Sequence, residues 1–412
     1  MNQLPRLAVA TRWFGVRSQV WLWRQVKTFT AFAPFILAWR REHESDYPLG
    51  RIPVSIIPTA EEPNQGPARW LHRLANLHRG NVYGSRGAES RILAGLLQQQ
   101  QADAVLCHFG HIALRFLPVA QALNLPLIAH FHGDDISSAL RDRYYRWSLR
   151  KNLNRFSSIV CVGSKQREVL LGMGADASRI ATIPCGVPTA EFEYTERPTR
   201  TTTFLCVCRL VAWKGVDLVI EAFARALIEL PDARLVIAGD GREEGYLRSL
   251  AMSRGILSKV EFLGAQPPAQ VLRLMHEADV FVQHSRTSKS GWFEGFGVSV
   301  AEAASTGLPV LVSDCGGLTD QVVHNQTGLI AREGDVASMT EAMIALGRDR
   351  DLRERLGKAG AGRMRRYFDS ANQVLKLESV IAGSIRSCRR AACRADQIPR
   401  TVSSLTSEEP SL

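Results

Sequence analysis

A chain of 412 residues, 45% hydrophobic and 22% charged, carries enough apolar side chain for two cores and more length than one core usually serves. No run approaches the roughly 18 to 20 apolar residues that cross a bilayer, and the start MNQLPRLAVATRWF turns polar too soon for a secretory signal, so a cytoplasmic protein is expected. The net charge of +11 is one-sided: residues 1–190 hold 23 Lys and Arg against 12 Asp and Glu, and the remainder balances at 28 against 28. Such a half suits an anionic partner, among them an inner-membrane surface, a diphosphate-linked lipid or an acidic polysaccharide, or is simply a solvated basic face. Nucleic acid is not expected, because no binding motif accompanies the charge. Eight scattered cysteines show no zinc-site spacing and read as reduced core thiols.

Along the chain, short β-branched runs alternate with amphipathic stretches, the pattern of parallel sheets covered by helices on both faces. The predicted strands are Ala104–His108, Leu127–His130, Ser158–Val162, Arg179–Ile183, Thr203–Val207, Arg234–Ala238, Lys259–Leu263, Val280–Gln283 and Val310–Ser313, with helices such as Val216–Leu230 and Glu244–Arg254 between them. The Pro- and Thr-rich run after Ile183 reads as a linker, drawn at 191–202, between a domain at 1–190 and another at 203–366. A basic helical stretch follows Asp351, and residues 385–412 read as a disordered tail.

The most specific chemistry lies in EGFGVSVAE, Glu294–Glu302, where a strand ends in a loop and a helix is predicted from about Phe296 to Gly307. A helix starting at the C-terminal edge of a parallel strand aims free N–H groups into the crevice where such sheets bind ligands. Gly295 and Gly297 let a diphosphate or sugar approach the backbone, and the two carboxylates stand about 8 to 10 Å apart along the axis, suited to gripping hydroxyls on either side of a diphosphate. Taken singly, Glu294 is equally an acid at a helix start and Glu302 a surface acid.

In CRLVAWKG, Arg209 and Lys214 lie five apart in one loop and can fold over one diphosphate, neutralising a leaving group, or can be two solvated cations. In AHFHGDD, His132 and Gly133 at a strand end can put an imidazole beside bare backbone in a cleft, although a lone His is usually structural.

Together with VIAGDGRE, VEFLGAQ, ADVFVQHS and the continuation AASTGLPVLVSDCGGLTDQVV, these motifs resemble the family-four retaining glycosyltransferases of the GT-B fold, in order over nearly the whole C-terminal half. HFGHIALR, AHFHGDD and IVCVGSKQREVLLGMGADASRIATIPCGV agree more loosely with exopolysaccharide- and lipopolysaccharide-type members. The resemblance implies two facing Rossmann-like domains and a last helix, 367–384, crossing back to the N-terminal domain. It also implies site roles. Glu294 would hold donor-sugar hydroxyls; amides of Gly295, Phe296, Gly297 and Val298 would face sugar and diphosphate; Glu302 would hold the ribose; Arg209 and Lys214 would bind the diphosphate; His132 would lie beside the donor sugar; Phe262 and Leu263 would border the base.

The family's glycine-rich loop after the first strand is not evident; WFGVRSQVWLWRQVKTF, Trp13–Phe29, stands there. The implied reaction moves a hexosyl group from a UDP- or GDP-linked sugar to a saccharide or lipid-linked saccharide, with retention. No Asp-x-Asp metal clamp is evident beside these motifs, so neither metal nor other cofactor is expected. The rival readings are a noncatalytic scaffold and a sugar-nucleotide epimerase. Trp13, Trp21, Trp23 and Trp39 with Arg24, Lys27, Arg40 and Arg41 form either an interfacial membrane face or core packing.

Overall fold

The computed structural model describes residues 3–16, 19–59, 73–194 and 202–396. Two parallel sheets organise them. The first contains β1 (Arg6–Phe14), β2 (Ala33–Arg41), β3 (Val54–Ile56), β4 (Ala104–His108), β5 (Leu127–Phe131), β6 (Ser158–Cys161) and β7 (Ile180–Thr182), in the order β3-β2-β1-β4-β5-β6-β7. The second contains β8 (Thr203–Val207), β9 (Arg234–Ala238), β10 (Val260–Gly264), β11 (Val280–Gln283), β12 (Val310–Ser313) and β13 (Leu329–Ala331), in the order β10-β9-β8-β11-β12-β13. Strands such as Ala104–His108 and Val310–Ser313 are buried at every position, as parallel strands covered on both faces must be. In each sheet the strand order reverses beside the first strand, at β1/β4 and β8/β11, which opens a crevice at the C-terminal strand ends.

The last helix, Ser370–Asp396, returns to the first sheet: Val374, Leu377, Ile381 and Ile385 join the same buried cluster as Leu7, Val9 and Leu106. Glu378 accepts from the N–H groups of Thr30 and Ala31, both at 2.7 Å. The expected tail is therefore helical through Asp396, because Ile385 needs burial and Arg389 reaches Asp103 at 3.1 Å; residues 397–412 lie outside the described residues. Of the expected linker, 195–201 lie outside the described residues too. Val187 and Asp369 form a parallel bridge, with Val187 N donating to Phe368 O and Ser370 N to Val187 O, both at 2.9 Å, so the two crossings between domains are laced together.

Of the two readings of the Trp13–Arg41 stretch, core packing holds for Trp21 and Trp39, while Trp13 and Trp23 are half-buried. The chain there splits into the end of β1, a helix at Val20–Thr28 and β2, and Trp21 and Trp39 are buried. Helix Val216–Leu230 ends early, at Ala226, and the helix expected from Phe296 starts at Val298.

Candidate functional site

Between the sheets lies a cavity of about 780 Å³, lined from the N-terminal domain by Trp13, Trp21, Arg24 and His132 and from the C-terminal domain by Arg209, Lys214, Glu294 and Glu302. Glu294 is buried, and its Oε2 accepts from Lys214 Nζ at 2.5 Å, Gln283 Nε2 at 3.0 Å and Ser285 Oγ at 3.1 Å. Local backbone explains the reach of Lys214. Gly215 closes the short 3-10 turn Ala212–Lys214 at φ +62°, where a Cβ would come within 1.9 Å of His284 O. The loop holding Glu294 is gripped from the other side by Gly316 and Gly317, whose Cβ atoms would meet the carbonyls of Glu294 and Gly295 at 2.2 and 2.1 Å; Gly317 N donates to Glu294 O at 2.8 Å.

Glu302 lies on the helix Val298–Ser305, and its Oε1 accepts from Arg24 Nη1 at 2.6 Å, an ion pair across the cleft with both side chains about one-tenth exposed. Phe296 and Val298 line the cavity with Gly295. Gly297 does not, and its amide is engaged elsewhere: the Gln321 carboxamide accepts from Gly297 N–H at 3.0 Å and donates to its carbonyl at 3.3 Å. Arg209 is exposed at the cavity and has no side-chain partner among the described residues. Phe262 and Leu263 do not reach the lining. Phe262 packs on the C-terminal core under Arg248, and Ala265 and Gln266, just beyond β10, line the cavity in their place.

His132 follows β5 and stacks on Trp21, ring centroids 4.0 Å apart at 26°. Burial holds its ring well below the ordinary histidine pKa, so it is a neutral imidazole. Its backbone is fixed by Asp135, whose carboxylate accepts from the N–H groups of Gly110, His132 and Gly133 at 2.9, 3.1 and 3.0 Å. Burial pushes the Asp135 carboxyl up to about 6 even though those three N–H groups pull it down. The domains touch here: a Cβ on Gly295 would stand 1.9 Å from His132 O, and nearby Ser164 donates from N and Oγ to Asp320 at 2.8 and 2.6 Å.

His108, His130 and His132 bring ring nitrogens within 4.8 Å of one another, the spacing of a metal trio. The chemistry fits poorly. His108 Nδ1 and His132 Nε2 are spent on each other at 2.9 Å, and His108 Nε2 and both nitrogens of His130 lack the outer partners that orient metal-bound imidazoles.

Gln283, Ser285, Asp320 and Gln321 were not singled out from the sequence, and Arg24 was not read as a residue of the site. The polar run Gln283-His284-Ser285, all buried at the end of an apolar strand, was a readable signal; Arg24 was legible only as part of a basic-aromatic stretch.

Residues 189–363 match the model for glycosyl transferases group 1, and residues 51–191 that for glycosyltransferase family 4. The chain is 29% identical to the glycogen synthase of Mycobacterium tuberculosis over 77% of each chain. It is 30% identical to the GDP-mannose-dependent monoacylated alpha-(1-6)-phosphatidylinositol monomannoside mannosyltransferase of Corynebacterium glutamicum, over 65% of this chain and 73% of that one. The fold is that of Anabaena Alr3699/HepE, solved in complex with UDP: TM-score 0.75, 16% identity, 92% of this chain and 100% of that one. With two adjoining models spanning both domains, a relative at this identity and a GT-B architecture, the chain belongs to the group 1 glycosyltransferases.

Proposed function

We propose that this chain is a retaining, metal-independent glycosyltransferase that moves a hexosyl group from a nucleoside-diphosphate sugar to a saccharide or lipid-linked saccharide in cell-surface polysaccharide or glycolipid synthesis. The observation that carries this reading is the Lys214–Glu294 pair, backed by the buried Gln283 and Ser285, on one wall of a two-domain cavity whose other wall presents His132. Glu294 would exchange Lys214 for donor-sugar hydroxyls, freeing the ammonium to join Arg209 on the diphosphate. Both cations then meet the charge that grows as the anomeric C–O bond breaks. Glu302, with Oε1 held by Arg24, would offer Oε2 to the ribose. His132, neutral and stacked on Trp21, would border the sugar and exclude water, while the departing diphosphate takes the acceptor proton on the same face of the ring. The donor base is framed by Ala265 and Gln266 in this reading.

A thermal-shift and transfer screen against UDP-, GDP- and ADP-sugars, with and without chelator, tests the proposal. One donor should stabilise the chain, by about 2.7 kcal/mol at about 100 times its dissociation constant, indifferently to chelator, and Lys214→Ala should abolish the effect. A folded protein that answers to no nucleotide sugar, or whose transfer stops with chelator, refutes it.

A further inference from the structure

Residues 73–77 form a helical turn whose inward side chains anchor it: Arg73 donates to Tyr83 Oη at 3.4 Å and Asp142 Oδ2 at 3.2 Å, and Asn76 to Gly84 O at 2.8 Å. The same turn must then present Leu74 and Leu77 to solvent, and they are 55% and 47% exposed. Beside it runs the helix Arg143–Asn152, joined by Asn152 Nδ2 to Gly80 O at 2.8 Å, by Val82 N to Ser148 Oγ at 3.1 Å and by Arg73 over the Tyr144 ring at 4.6 Å. This helix buries Tyr145, Ser148, Leu149 and Asn152 and exposes Arg143, Arg146 and Arg150, spaced i, i+3 and i+7, with Lys151 next to them.

The carboxylate that caps the start of this helix does not neutralise that row. Asp142 is occupied by the helix N-terminus, Tyr83 and Arg73, while Arg150 and Lys151 have no side-chain partner among the described residues. Arg79, also exposed, extends the cationic area beside Leu77.

Cations in a row next to two solvent-facing leucines match one environment in both respects. An acidic polysaccharide or nucleic acid would use the arginines and gain nothing from the leucines; a bilayer interface takes the charges at anionic headgroups and the leucines at the acyl boundary. We propose that the face formed by Leu74, Leu77, Arg79, Arg143, Arg146 and Arg150 docks this chain on an anionic lipid surface. The face is coupled to the cavity wall, since Tyr145 Oη on the inner side of the same helix donates to Asp135 O at 2.8 Å, in the loop that fixes His132. Docking there sets the His132 wall of the cavity close to the membrane.

Co-sedimentation of the full chain with vesicles of equimolar phosphatidylcholine and phosphatidylglycerol, against phosphatidylcholine alone, tests this without reference to transfer activity. Binding is expected only with phosphatidylglycerol present. Arg146→Gln with Arg150→Gln should weaken it about thirtyfold, from about 1 kcal/mol per basic residue at a membrane surface. Leu74→Ser with Leu77→Ser should weaken it about tenfold or more at unchanged melting temperature. The charge-matched Arg234→Gln with Arg273→Gln, on the C-terminal domain, should bind like wild type. Equal pelleting on both vesicles, an equal loss in the C-terminal control, or retention on heparin with no vesicle binding would each overturn the proposal, the last assigning the face to an acidic glycan.

Discussion

Removing Arg24 isolates the one buried ion pair that joins the two cavity walls among the described residues. Arg24 Nη1 stands 2.6 Å from Glu302 Oε1, and the guanidinium also lies over the Phe192 ring at 5.4 Å. Stripping one partner from a fully dry pair costs about 3 to 5 kcal/mol, because the remaining charge is left without solvent. Here the cavity admits water to Glu302, so the expected loss for Arg24→Ala is about half of that, on the order of 2 kcal/mol, with the lost Phe192 contact included. For a cooperative unit of about 200 residues, that corresponds to about 4 to 8 °C in melting temperature. Because Phe192 contributes to the single substitution, the informative quantity is the cycle Arg24→Ala, Glu302→Gln and the double variant by urea unfolding. A coupling of about 1 kcal/mol or more is expected. Additivity within about 0.3 to 0.5 kcal/mol would show that the pair carries no interaction energy, and the reasoning about a joined cleft would fail.

Lys214→Ala should lower kcat for transfer by about 10² to 10³, the range for losing one group that stabilises developing charge, and Glu294→Gln should be comparably damaging; steady-state kinetics that show only a raised KM would contradict the leaving-group role. Gly295→Ala would drive a Cβ toward His132 O and should cost about 1 to 3 kcal/mol by thermal melting together with most activity, whereas Gly133→Ala, with its nearest neighbour at 3.7 Å, should stay within about 0.5 kcal/mol. Acid should destabilise the fold. His130 is pushed down to about 3 and His111 to about 4 by burial, so the unfolded chain takes up protons first as pH falls through about 6.5. Each imidazole removes about 2 kcal/mol between about pH 7 and about pH 5. The raised Asp135 carboxyl works the other way, its stabilising protonation being lost as pH rises from about 4 through 6. His130→Phe should flatten the stability-against-pH slope by about one proton in urea titrations; an unchanged slope would refute this.

Much of the second domain was legible because its strands are short, apolar and punctuated. Thr203–Val207, Arg234–Ala238, Val280–Gln283 and Val310–Ser313 are bounded by charge, Gly or Pro, and local punctuation of that kind survives tertiary context. The first strands were harder. β1 and β2 carry Arg6, Arg12, Arg40 and Arg41 among their apolar residues, so RLAVATRWF and APFILAWRR read locally as a basic-aromatic surface. The last helix was hidden for a similar reason: beyond Ser384 its outward face is Arg- and Cys-rich, and only the distant first sheet tells Ile385 where to go. Within the site, spacing marked Glu294 and Lys214 as separate residues, but their pairing depends on the turn at Gly215. The pairing of Arg24 with Glu302 spans 278 positions, and no local pattern carries such a contact.

The laced crossings at Val187 and Asp369 have a mechanical consequence. A single connecting strand would let one lobe twist as well as swing, but two connections bonded side by side behave like a door hung on two pins. Rotation about the line between them remains easy, and torsion across it must break the Val187 and Ser370 hydrogen bonds. Met364–Phe368, wound as a π turn immediately before one pin, offers the slack such a hinge needs. Opening and closing about such a hinge would retrace one arc, returning Gly295 to the same place against His132 each time.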